Sequence, residues 1–305
     1  MCHCLCPGVT SGQTPRRTTG VYSTMHQHLF GTTGRQVPVI GQGTWYIDNA
    51  QRSAAVSAIR LGLELGMRHI DTAEMYGSGA AERVVGEAIR GRRDDAFLVS
   101  KVLPENASRR GTRAACESSL KRLGTDHLDC YLLHWRGSYP LEETFSAFES
   151  LQKQGKILSF GVSNFDVDDL DEALALLGPG RLACNQVLYH LRERAIEHAV
   201  IPWCHAHNVA VVAYSPLGHN AFPESTTPAG MTLNEIARAR GATPQQIALA
   251  FLTRASSVFA IPKAIQASHL EQNAAAGDIT LSSDEIARLD LAFPRGARPE
   301  FLPVI

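Results

Sequence analysis

Asp71, Tyr76, Lys101 and His134 are the residues of this chain whose types and placement could move a proton. Three of them end apolar, strand-like runs: Arg68-His69-Ile70 leads into Asp71, Phe97-Leu98-Val99-Ser100 into Lys101, and Leu128 to Leu133 into His134. Tyr76 follows the first run by a short turn. A phenol beside a lysine, a carboxylate and an imidazole is a set for delivering a proton to an oxygen.

Each run is followed by a helical pattern, so the strands should be parallel, with their C-terminal ends on one shared face. Strand candidates span 39–45, 68–71, 97–101, 128–133, 157–162, 183–187, 209–213 and 258–261. Their spacing is roughly that of one strand plus a crossover helix, about 25 to 45 residues. Eight such units close a (β/α)8 barrel, an α/β fold whose C-terminal face carries the chemistry. Leu29 to Pro38, with glycines at its turn, reads as a hairpin cap ahead of the first strand. The helices carry a 3.6-residue stripe, as in Val56, Ile59 and Leu63. Thr243-Pro244-Gln245-Gln246 and Ser282-Ser283-Asp284-Glu285 have the form of capping boxes. Extra helices are expected over 232–240 and 244–255 in the seventh crossover and over 283–291 after the eighth strand, with a proline-bearing tail from Pro294 draped over the barrel.

A chain of 305 residues suits one such barrel, and its net charge of -1 provides no footprint for nucleic acid or anionic membrane. No apolar run approaches the ~20 residues of a membrane span. Cys116, Cys130, Cys184 and Cys204 read as small buried hydrophobes of a reducing, cytoplasmic protein. Cys2, Cys4 and Cys6 alternate without the spacing of a metal site, so no metal is expected. Residues 1–24 read as a disordered tail or a non-native start, and 25–305 as a single barrel domain. Arg16-Arg17 lacks the apolar segment that an export signal requires.

Each polar residue has a plainer alternative. Asp71 could cap a turn, Lys101 could be a surface lysine, and His134 could be a hydrogen-bonded core histidine. Four such groups converging on one face favour the functional reading. Gly41-Gln42-Gly43 lacks the third glycine and the following helix of a dinucleotide fingerprint. Its glycines instead let backbone or ligand approach the end of the first strand.

Asp71-Thr72-Ala73-Glu74-Met75-Tyr76-Gly77, Val99-Ser100-Lys101, Leu132-Leu133-His134-Trp135, Gly161-Val162-Ser163-Asn164-Phe165, Asn185-Gln186-Val187, Tyr214-Ser215-Pro216-Leu217 and Ile261-Pro262-Lys263 together resemble the successive signatures of the aldo-keto reductase family. The resemblance spans about Val37 to Leu291, and Gly41 to Tyr46, with Asp71 to Tyr76 and Asn185 to His190, looks closest to bacterial methylglyoxal-reductase-like members. It implies NADPH-dependent reduction of small aldehydes or α-oxoaldehydes to alcohols. Tyr76 would be the proton donor, Lys101 and Asp71 would tune it, and His134 would orient the carbonyl. A tyrosine titrates near pH ~10, and an adjacent ammonium favours its phenolate.

For the cofactor, the resemblance places Ser163, Asn164 and Gln186 on the nicotinamide carboxamide and Tyr214 on its ring. Ser215 and Leu217 would follow the pyrophosphate, Lys263 would meet the 2′-phosphate, and His269, Gln272 and Asn273 would lie nearby. His269 stands where the family commonly has arginine, which removes a bidentate phosphate contact and leaves NADH use open. Trp45, Met75, Trp135 and His190 are the substrate-pocket candidates. Arg136, where proline is common, would contact an anionic substrate or project to solvent with its stem on Trp135. The implied partner is a small carbonyl compound and the implied state a monomer. Two rivals differ in kind: a non-catalytic NADP(H)-binding module of this fold, and a Schiff-base barrel enzyme in which Lys101 would sit in an apolar pocket without a carboxylate.

Overall fold

Gln27–Leu29 (β1) and Gln36–Pro38 (β2) pair antiparallel around a 3-10 turn at Gly31–Thr33, forming the hairpin expected ahead of the barrel. The computed structural model describes Met1 and residues 25–305. The expectations for Cys2, Cys4 and Cys6, and for the rest of the segment up to residue 24, lie outside the described residues.

The barrel strands are β3 (Gln42–Gly43), β4 (His69–Asp71), β5 (Phe97–Val102), β6 (Leu128–Leu133), β7 (Ile157–Ser163), β8 (Leu182–Leu188), β9 (Ala210–Tyr214) and β10 (Val258–Ala260). They lie in chain order, each parallel to its neighbour. Every residue of β5, β6 and β8 is buried, so these segments are mostly apolar on both faces, and their polar members Ser100, Lys101, Asp129, Asn185 and Gln186 are buried with them. Crossing between the strands are α1 (Arg52–Glu64), α2 (Ala80–Ala88), α3 (Arg109–Leu123), α4 (Leu141–Lys153), α5 (Val167–Leu177), α6 (Val200–Ala206), α7 (Pro228–Ala239) and α8 (Pro244–Leu252). α9 (Ala267–Ala276) and α10 (Ser283–Ala292) follow β10.

Both capping boxes form, at Thr243 with Gln246 and at Ser282 with Glu285. Two helical expectations need correction. α7 begins at Pro228 rather than 232, because the Thr227 side chain accepts from the Gly230 N–H and Pro228 occupies the first turn. α9 had no counterpart among the extra helices expected, since its N-cap residue Gln266 makes no capping hydrogen bond that would mark a start.

The barrel closes where the first strand meets the last. Ile40 bridges Ala260, the Gly41 N–H donates to Ala260 O at 2.8 Å, and the Gly43 N–H donates to Pro262 O at 3.1 Å. A Cβ on Gly41 would stand 2.6 Å from His69 O, and one on Gly43 would stand 2.5 Å from Ile261 O. The two glycines therefore serve close backbone approach at the seam.

The hairpin seals the end of the barrel away from the tetrad. Phe30 is fully buried against the rings of Phe97, Phe259 and His69. Arg35 reaches Asp129 at 3.0 Å, Arg93 holds its other oxygen at 2.8 Å, and the Leu98 N–H donates to that oxygen too. Cys116, Cys130, Cys184 and Cys204 are buried thiols, as expected. The segment after α10 passes α5, where Arg298 donates to Asp166 at 3.3 Å, and ends with Ile305 in the lining of the tetrad's cavity.

Candidate active site

Strands β4, β5 and β6 end together, and their last residues place the acid–base groups. Lys101 Nζ donates to Asp71 Oδ2 at 2.6 Å, to the Thr72 carbonyl at 2.9 Å and to Tyr76 Oη at 3.2 Å. The ammonium also stands 4.9 Å from the centre of the Tyr76 ring. His134 meets that ring edge-on at 5.8 Å between centroids. Lys101 is wholly buried with a carboxylate on it, so the condition that the Schiff-base alternative required is absent.

Burial opposes charge on Lys101, yet Asp71 and Tyr76 outweigh it and hold the amine above its ordinary value. Burial raises the Tyr76 phenol, Lys101 opposes the rise, Asp71 adds to it, and the net shift is upward. Lys101 pulls toward the phenolate as expected, but desolvation exceeds that pull, so Tyr76 keeps its proton. Burial, assisted by Lys101, pushes the His134 imidazole down to about 2. That ring is neutral, and its Nδ1 has no partner among the described residues.

A cavity of about 420 Å³ opens above these groups and is lined by Asp71, Tyr76 and His134 at its floor. Trp45, Met75 and Trp135 form part of its wall, and Ser163, Asn164, Gln186, Tyr214, Ser215, Leu217 and Lys263 line it as well. The amide groups are held by hydrogen bonds. Asn164 has a left-handed backbone (φ 62) and donates to the His134 carbonyl at 3.2 Å, while its oxygen accepts from Tyr214 Oη at 2.9 Å. Ser163 Oγ donates to the Gln186 carbonyl at 2.8 Å. Gln186 Nε2 donates to Asp71 Oδ1 at 2.7 Å, a contact that sequence reasoning missed.

Five of the named candidates do not line this cavity: Lys101, which lies beneath Asp71 and Tyr76, and His190, His269, Gln272 and Asn273. The His190 ring accepts from the Arg192 N–H at 3.2 Å and lies beneath the loop at Gly218, so it supports the wall instead of forming it. His269 is exposed on the first turn of α9, Gln272 is half-buried, and Asn273 is buried. Arg136 lies outside the cavity lining and does not project freely, because Asp169 and Glu172 on α5 hold it at 3.1 and 2.7 Å.

Residues not foreseen also line the site. His219 stacks on Trp45 at 5.2 Å and Tyr46 stacks on Trp45 at 4.6 Å. The turn residues Gly218-His219-Asn220 after β9 were the available signal, since Gly218 and Asn220 both have positive φ.

The sequence model of the aldo/keto reductase family matches residues 39–292. This chain belongs to that family. It is 49% identical over 273 residues to the methylglyoxal reductase YeaE of Escherichia coli, covering 88% of this chain and 96% of that protein. A glyoxal reductase of Bacillus subtilis is 32% identical, covering 84% of this chain and 89% of its own length. Among solved structures, an aldo-keto reductase from Klebsiella pneumoniae in complex with NADPH superposes with a TM-score of 0.86 at 46% identity, covering 92% of this chain and 99% of that one. The protein is therefore an aldo-keto reductase with the (β/α)8 fold expected from its strand count.

Proposed function

We propose that this aldo-keto reductase uses NADPH to reduce small aldehydes or α-oxoaldehydes of the methylglyoxal kind to alcohols, with Tyr76 giving the proton. The observation that carries the reading is the Lys101 ammonium bridging Asp71 and Tyr76 on the floor of a cavity lined by oriented amides. The residues present fit the cofactor: Asn164 and Gln186 offer amides, Tyr214 offers a ring, and exposed Lys263 offers a cation. When bound, the reduced nicotinamide supplies hydride.

Tyr76 holds a proton at Oη beside the cavity. Lys101 stabilises the phenolate left after transfer, and Asp71 keeps that ammonium in place. The neutral His134 ring orients the carbonyl oxygen against Tyr76. Trp45, Met75 and Trp135 give an apolar wall suited to a short carbon skeleton. One chain supplies the whole arrangement, which supports a monomer, and the unbridged thiols support a cytoplasmic setting.

The test is a panel of aldehydes assayed with NADPH and separately with NADH. Consumption of NADPH that depends on methylglyoxal or similar aldehydes is expected. Tight NADPH binding with no turnover of any aldehyde would instead support the non-catalytic module.

A further inference from the structure

Asp71 touches two different partners with its two oxygens. Oδ2 takes the Lys101 ammonium at 2.6 Å and Oδ1 takes Gln186 Nε2 at 2.7 Å. An ionised carboxylate only accepts hydrogen bonds, so Gln186 must turn its NH₂ end toward Asp71. The opposite end of that amide, Oε1, then has no donor among the described residues, although Gln186 is almost wholly buried and lines the cavity. Asn164 is fixed in a complementary way, since its NH₂ faces the His134 carbonyl and its oxygen accepts from Tyr214.

We propose that Asp71, besides holding Lys101, is the positioning residue that sets which end of the Gln186 amide faces the cavity, so that the site takes a primary carboxamide and rejects a carboxylate. This rests on the reading that a nicotinamide cofactor occupies the cavity. A carboxamide NH₂ would satisfy Oε1. A carboxylate at the same place would bring acceptor against acceptor and leave two buried oxygens unpaired, which costs more than a missing contact on an open surface. An asparagine there would keep its carbonyl on the Lys101 ammonium and present its NH₂ to Gln186, which would turn the Gln186 amide end for end.

The test compares binding of NADP⁺ with that of its deamido analogue, in which a carboxylate replaces the carboxamide, by quenching of protein fluorescence. The parent should favour NADP⁺ by at least about tenfold, roughly the effect of one unpaired buried polar group. Asp71→Asn should abolish or reverse that preference although Gln186 is still present, and Gln186→Leu should bring the ratio close to unity. Tyr76→Phe, which leaves both residues alone, should keep the parent's ratio. Equal binding of the two ligands by the parent overturns the inference before any variant is made. A ratio retained in Asp71→Asn overturns it as well, and one lost in Asp71→Asn but kept in Gln186→Leu would assign the discrimination to Asp71's charge acting through space. If the parent binds neither nucleotide, the cofactor reading fails at its root, an outcome separable from all of these.

Discussion

Tyr76 and Lys101 are joined by a 3.2 Å hydrogen bond in which the ammonium donates to the phenol oxygen, with Lys101 wholly buried and Tyr76 half-buried at the cavity. The phenol is thus protonated before reaction and has a cation beside it to receive the negative charge that develops as the proton leaves.

Tyr76→Phe keeps the ring and removes that proton. Turnover should fall by the ~10²–10⁴ typical of lost general-acid catalysis, while NADPH binding stays near the parent's. Steady-state assay and cofactor titration on the same preparation check this, and near-normal turnover would remove Tyr76 from the role.

Two buried histidines make stability depend on pH. Burial lowers His69 to about 3 and His134 to about 2, each from an ordinary value of 6.5. Below pH 6.5 the unfolded chain binds protons that the folded one does not, so stability must fall as the medium is acidified. The loss is on the order of 2 kcal/mol per ring near pH ~5. His69 has no partner on either ring nitrogen among the described residues. His69→Leu should therefore be tolerated at neutral pH and should flatten the acid side of a melting-temperature profile. An unchanged acid slope in that variant would show that His69 is not its source.

Asp129 separates a buried charge from its exposed partner. It is 3% exposed, whereas Arg35 on the hairpin is 49% exposed. Asp129→Ala strands the Arg93 guanidinium and should cost about 3–5 kcal/mol. Arg35→Ala should cost under about 1 kcal/mol. Urea unfolding midpoints measure both, and similar losses would mean that the hairpin, rather than the buried Asp129–Arg93 pair, governs that end of the barrel.

Lys263 should carry most of the preference for NADPH, because His269 offers no guanidinium fork. Lys263→Met is expected to weaken NADPH by the ~1.5–3 kcal/mol of a charged hydrogen bond and NADH far less. His269→Arg should tighten NADPH selectively. Titration of both nucleotides decides, and equal losses in Lys263→Met would place the discrimination elsewhere.

The tetrad was legible because Asp71, Lys101 and His134 lie at or just past the C-terminal ends of strands that are buried throughout and mostly apolar. The barrel followed from counting such strands. The Asp71–Gln186 bond was not legible, since it joins residues 115 positions apart across the barrel and depends on the relative register of β4 and β8. The net direction of the Tyr76 shift was not legible for a related reason. An ammonium beside a phenol can be foreseen from spacing, whereas the depth of burial that outweighs it is a property of the closed fold. Arg136 looked available because its partners lie on α5, in another part of the sequence. His190, although adjacent in sequence to the β8 residues that do face the cavity, falls just beyond the strand's end and turns beneath the Gly218 loop.

The seam between Ile40 and Ala260 also governs the order in which the molecule can assemble. Neighbouring strands β4 to β9 pair over short stretches of chain, while the seam brings together opposite ends of the domain and is the most non-local contact in the barrel. A nascent chain can therefore align Asp71, Lys101, His134 and Gln186 before its last strand docks. Gly43 and Lys263, which flank the cavity across that seam, come together only in the final step. Cofactor binding should accordingly appear late in refolding, after most of the helical signal has returned.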